Sequence, residues 1–127
     1  MISLFGNGIV YVSLILTVLF YVKLLKKLIP SEILSLRIIY FINLLPFFLL
    51  IYAFSISDFT LLNVIENSYI DDPLFYKVTS AWGSHEGSIL LWVFLINLFG
   101  IFFLNKNRTV EIHKNIIFIS TVFLLYV

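Results

Sequence analysis

The sequence predicts an all-α, polytopic integral membrane protein with three to four transmembrane helices. Three observations predict it. Hydrophobic residues make up 61% of the 127 residues and only 12% are charged, against roughly 25% in an ordinary soluble domain. The apolar residues fall in long uncharged runs, and the mean hydropathy is +1.09. A chain this short keeps a high surface-to-volume ratio and could not hide so much apolar surface from water. Together these exclude a soluble globular enzyme, a disordered chain and a basic nucleic-acid binder; the expected surroundings are a lipid membrane, with no nucleic-acid partner. The chain contains no cysteine, which excludes disulfides, thiolate metal sites, a cysteine nucleophile and covalent CxxCH haem attachment.

A single membrane domain is expected over 1–127. The first uncharged run is Ile2 to Val22. Lys23, Lys26 and Lys27 share one solvated face, so the first span is set at 2–29. Pro30 stops it and Ser31 can cap the next helix. The second span is 32–57, with Pro46 kinking it inside a packed bundle. An outer loop over 58–77 follows, and its Phe59, Leu61, Leu62, Val64 and Ile65 suggest a segment partly lying in the membrane interface. The third span is 79–104 and an inner loop covers 105–114.

The fourth segment, 115–127, is a partial span. Its strongly apolar part reaches only about 18 Å as helix, short of a hydrocarbon core of about 30 Å. Extending it to Val110 would bury Glu111, His113 and Lys114, which is costly. The expectation is a fragment completed by another polypeptide. Loop charge sets the orientation. Lys23, Lys26, Lys27 and Arg37 lie in the first loop, and Lys106, Arg108 and Lys114 in the third. The second loop carries Asp58, Glu66, Asp71 and Asp72 against Lys77. The N-terminus and loop 58–77 are therefore expected on the periplasmic or intermembrane-space side.

Residue usage favours Phe, Ile, Asn and Lys, with alanine only at Ala53 and Ala81. AT-rich codons specify the favoured set. The expected location is a mitochondrial inner membrane, organelle-encoded, or a bacterial inner membrane. Neither a presequence nor a cleavable signal peptide is expected from the opening residues.

Chemistry concentrates in Tyr76–Trp92, YKVTSAWGSHEGSILLW. Trp82 is a typical interface anchor. Gly83 and Gly87 form a GxxxG, with Ser80, Ser84 and Ser88 at the same spacing; on one helical face such residues allow close packing. His85 and Glu86 are ionisable groups at the mouth of a spanning helix, and a neutral imidazole can ligate haem iron. His113 lies on the opposite side of the membrane, so the two histidines cannot serve one metal, and no metal site is expected. Asn7, Asn43 and Asn97 are expected to bond or pack across helices. The sequon Asn107-Arg108-Thr109 is set aside as chance, because it falls on the inner side. No catalytic set is present.

WGSHEGSILLW, with DFTLLNVIENS, LFYKVTSA and the opening GNGIVYVSL, resembles the N-terminal region of the CcmF family. These are the membrane subunits of the cytochrome c maturation haem lyase, with a paralogue serving nitrite reductase assembly. The resemblance implies a split or shortened form that contributes N-terminal helices to haem attachment and is inactive alone. The family's haem-ligating histidines lie downstream of the matched region. The implied partners are the remaining CcmF-type fragments, other maturation proteins and apocytochrome c as client. Haem is implied only through the assembled complex, with Trp82, His85 and Trp92 as pocket-lining candidates. Asn7, Asp58, Asn67, Gly83, Glu86, Gly87 and Ser88 are assigned to packing and partner contact. The competing expectation is a structural accessory subunit of a larger inner-membrane complex, with no haem chemistry of its own.

Overall fold

The structure is a computed structural model, and it describes residues 2–25, 32–106 and 110–127. Every regular element among them is a helix: α1 Ile2–Leu25, α2 Glu32–Ser55, α3 Leu62–Asn67, α4 Leu74–Ser80, α5 His85–Lys106 and α6 Val110–Tyr126. The four long helices form a ring in which α1 packs on α2, α2 on α5, α5 on α6 and α6 back on α1, and α4 lies against α2.

Each long helix turns one seam inward at spacings of three and four. On α2 the seam is Leu36, Tyr40, Asn43, Phe47, Leu50 and Phe54, while Phe41, Leu45, Phe48 and Tyr52 are exposed. On α5 it is Leu90, Val93, Asn97, Gly100 and Leu104, with Trp92, Phe99 and Phe102 outside. On α6 it is His113, Ile117, Ser120 and Leu124. This spacing is what a 3.6-residue helix presents to a neighbour. The polarity is the reverse of a soluble protein. Ser13, Thr17, Asn43, Asn97, His113 and Ser120 are at most 1% exposed. Leucine, phenylalanine and isoleucine cover the outside. Buried polar residues within an apolar exterior are the pattern of helices packed in lipid. By length and composition, Leu34–Ser55 and His85–Lys106 are long and apolar enough to cross a membrane, and Asn7–Lys23 is a shorter apolar stretch.

The interior is layered. Phe47, Leu50, Phe54, Val64, Leu90 and Val93 make an apolar core towards α3 and α4. Phe20, Leu36, Ile39, Tyr40, Leu104 and Ile117 make a second core at the other end. Thr17, Asn43, Asn97 and Ser120 lie between them. Here the Thr17 hydroxyl lies 2.9 Å from Asn43 Oδ1, Asn43 Nδ2 donates to Asn97 Oδ1 at 3.2 Å, and Asn97 Nδ2 donates to Ser120 Oγ at 3.0 Å. One chain of side-chain hydrogen bonds thus ties α1, α2, α5 and α6 together.

Helix boundaries differ from the sequence expectation in several places. Helix α1 is described to Leu25; Lys26, Lys27, Pro30 and Ser31 lie outside the described residues, as does the 107–109 sequon. Helix α2 ends at Ser55, and Ser57 in the left-handed region (φ 54°) turns the chain away. The expected 58–77 loop contains the short helix α3, and a second short helix, α4, runs from it to Ser80. Helix α5 begins at His85 rather than at 79, because the Ser84 hydroxyl accepts the Gly87 amide at 3.1 Å and caps the helix there. Helix α6 begins at Val110 rather than 115, so its 17 residues reach about 25 Å. The expected cost of that extension does not arise in full. Glu111 is exposed and Lys114 only partly covered, while buried His113 meets the Tyr40 hydroxyl at 2.7 Å.

Candidate functional site

The site is built at the start of α5. Helix α4 ends at Ser80, the chain turns through Ala81–Ser84, and α5 starts under the Ser84 cap. Ser88 Oγ lies 2.7 Å from the Trp82 carbonyl and 2.9 Å from the Ser84 carbonyl and shares its one hydroxyl proton between them, which fastens the turn onto the first turn of α5. Gly87 sits directly beneath: a Cβ there would overlap the Ala81 carbonyl oxygen. Only glycine lets the turn lie so close. This overturns the GxxxG face. Gly83 is in the turn before the helix and exposed, so Gly83 and Gly87, with Ser80, Ser84 and Ser88, do not share one helical face. Their spacing of four serves a cap and a tight turn instead.

His85 occupies the first position of α5. Its side chain is exposed and its ring meets Tyr126 of α6 edge-on, with centroids 5.6 Å apart. Glu86 is exposed and accepts a hydrogen bond from Asn63 Nδ2 of α3 at 3.2 Å. Asn67 donates back to the Asn63 carbonyl at 2.9 Å and holds that side of α3. Asp58 accepts from the Thr60 hydroxyl at 2.7 Å and the Thr60 amide at 3.1 Å, a turn that starts the α3 segment. These bonds hold the Asp58 carboxyl below its ordinary value. Trp82 lies in the turn, 39% exposed, and Trp92 lies two turns into α5, 57% exposed.

A cavity of about 480 Å³ opens beside this turn, between α1, α2, α3 and α5. Asn7, Thr60, Asn63, Glu66 and Glu86 give it polar groups, and Val10, Leu49, Leu50 and Leu90 give it apolar walls. Of the residues singled out from sequence, Asn7 and Glu86 converge here. Trp82, His85 and Trp92 do not line it. All three side chains are exposed. No group of three or more His, Asp or Glu side chains among the described residues is placed to hold a metal ion.

Sequence reasoning missed two features. One is the buried Tyr40–His113 pair joining α2 to α6; the sequence alone places His113 in the inner loop. Its signal was present, since 113, 117, 120 and 124 continue the inward spacing of α6. Gly100 completes the arrangement, because a Cβ there would meet the Tyr40 ring at 2.9 Å. The other is the cavity rim from Thr60, Asn63 and Glu66, which depends on how α3 folds back and has no local signal. Asn43 and Asn97 do bond across helices, as expected.

Polar-in, apolar-out helices, closed at one end by a capped turn, define an all-α membrane protein. Its relatives are cytochrome c-type biogenesis proteins. The chain is 55% identical over 56 residues to the protein ccl1 of Rhodobacter capsulatus, covering 44% of this chain and 9% of that one. It is 34% identical over 89 residues to CcmF of Haemophilus influenzae, covering 65% and 14%. It is 45% identical over 60 residues to NrfE of the same organism, covering 47% and 9%. The chain is a homologue of part of these CcmF-type proteins, and the matches span about a seventh or less of each relative's length. No family model matches the chain, and no solved structure gives a significant match.

Proposed function

We infer that the chain is a membrane subunit of the cytochrome c maturation machinery. It supplies N-terminal helices to a CcmF-type haem lyase and is inactive alone. The observation that carries this reading is the 55% identity with a cytochrome c-type biogenesis protein over 56 residues. Its partners are the remaining CcmF-type fragments and other maturation proteins, with apocytochrome c as client. The location is a bacterial inner membrane or a mitochondrial inner membrane, spanned by α1, α2, α5 and the shorter α6. The N-terminus and the α3–α4 segment face the periplasm or intermembrane space. Haem contact belongs to the assembled complex, where exposed His85, Trp82 and Trp92 are the groups of this chain free to meet a partner's pocket.

A second reading, a structural accessory subunit of a larger inner-membrane complex, is favoured by one feature. Gly87 and Ser88 serve the chain's own turn and the interior serves helix packing, which requires no haem. Purification from the native membrane in mild detergent, with identification of the accompanying chains, separates the two. Recovery of a downstream CcmF-type fragment and thiol-handling maturation proteins supports the first. Recovery of respiratory subunits alone overturns it. His85→Ala sharpens the result: loss of cytochrome c maturation with the complex intact supports haem contact, and unchanged maturation removes it.

A further inference from the structure

We propose that the cavity between α1, α2, α3 and α5 binds one amine-headed phospholipid. The inference is independent of the role in cytochrome c maturation. At about 480 Å³, the cavity falls within the range of small-molecule sites, about 300–1,000 Å³. It is far larger than a single inserted side chain requires. Its two ends differ in chemistry. Val10, Leu50 and Leu90 form an apolar floor from three different helices, and the rim carries the carboxylates of Glu66 and Glu86 with the amide of Asn7. None of the residues lining it is basic.

An ionised carboxylate accepts hydrogen bonds and donates none. Two of them on one rim, with no cation from the lining, select a head with N–H donors and positive charge. An anionic head is repelled. Asn63 fixes Glu86 through its Oε2 at 3.2 Å, so one acceptor is oriented before any ligand arrives. The Asn7 amide supplies a donor for the phosphate of a zwitterionic head. The floor requires an aliphatic body. The exteriors of the same helices are apolar, with Tyr11, Val12, Leu45 and Phe48 exposed. Acyl chains leaving the cavity would meet apolar side chains on these exteriors. A primary ammonium head on a diacyl body satisfies all of these demands together.

The test uses the full chain reconstituted in vesicles containing equal parts phosphatidylethanolamine, phosphatidylcholine and phosphatidylglycerol. The protein is then extracted in mild detergent and its retained lipid identified by native mass spectrometry. Phosphatidylethanolamine should be retained at about one per chain, roughly tenfold over phosphatidylglycerol, the size of effect expected for charge-assisted hydrogen bonds. Phosphatidylcholine, which keeps the charge but has no N–H, should fall between. The Glu66→Gln/Glu86→Gln double variant should lose the preference while keeping its helical circular dichroism. Val10→Trp, which fills the floor from α1, should lower retention of all three lipids and leave the rim intact. Equal retention of the three lipids, or a preference that survives both variants, overturns the proposal. So does displacement of lipid by a copurifying polypeptide that crosslinks to Glu66 or Glu86.

Discussion

Replacing Asn97 with leucine tests whether the polar layer holds the helices together. Asn97 links three helices: Nδ2 donates to Ser120 Oγ on α6 at 3.0 Å and Oδ1 accepts from Asn43 Nδ2 on α2 at 3.2 Å. Interhelical hydrogen bonds of this kind contribute about 0.6 kcal/mol each in lipid-embedded bundles. Ser120 keeps the Ile116 carbonyl at 2.9 Å when Asn97 goes. Asn43 is left with a buried Nδ2 and no acceptor, which costs about 1 kcal/mol more. The expected loss for Asn97→Leu is therefore about 2 kcal/mol. The Asn43→Leu/Asn97→Leu double variant should cost about 1 kcal/mol less than the sum of the singles, since neither partner is then stranded. Asn105→Leu, at the exposed end of α5 where Arg37 reaches it at 3.3 Å, is the control and should change stability by less than about 0.5 kcal/mol. Reversible unfolding in mixed micelles, followed by circular dichroism, gives all four values. Additive singles, or a stabilised Asn97→Leu, would refute a coupled layer.

Gly87→Ala forces the Ala81 turn off α5 and should cost roughly 1–3 kcal/mol by overpacking, read as a lower unfolding midpoint; Gly83→Ala, whose Cβ would meet Ser80 backbone at ordinary contact distance, 3.4 Å, should be near neutral. Ser84→Ala removes the α5 cap and should cost about 1 kcal/mol, with faster amide exchange at Gly87 as its local signature. Tyr40→Phe takes the hydroxyl from His113 and should cost about 1–2 kcal/mol, measured against Tyr52→Phe on the exposed face. The Asp58 carboxyl is depressed by Thr60 from an ordinary value of 3.8; its contribution is therefore present above that value and is lost as pH falls through the lower folded value. The stability gap between the native chain and Asp58→Asn should close below about pH 4, and a gap that widens on acidification would contradict the sign.

The long helices were legible because they depend on composition and a single period. Uncharged runs marked α2 and α5, and the asparagines within them marked the interior. What escaped the sequence depends on tertiary geometry. The break before His85 was hidden because Ser80, Ser84 and Ser88 fit helical spacing as well as they fit a cap and a clasp; the close approach of the Ala81 carbonyl to Gly87 decides between them. His113 looked too polar to enter the bundle until Tyr40, 73 residues away in sequence, supplied its partner. The cavity joins Asn7 to Glu66 and Glu86 only after α3 folds back.

The polar layer also bears on how the helices reach lipid in the first place. Thr17 has the Ser13 carbonyl at 2.6 Å, Asn97 the Val93 carbonyl at 2.7 Å and Ser120 the Ile116 carbonyl at 2.9 Å, each on its own helix. Each therefore keeps one donor satisfied within its own helix before any neighbour arrives. Asn43 differs: its bonds run to Thr17 and Asn97, on other helices. A lone α2 in lipid therefore presents an asparagine with neither its amide hydrogens nor its carbonyl oxygen met, whereas Asn97 has one amide hydrogen met and Thr17 and Ser120 have their hydroxyl hydrogens met. Of the four long helices, α2 has the most hydrogen bonding to gain from its neighbours.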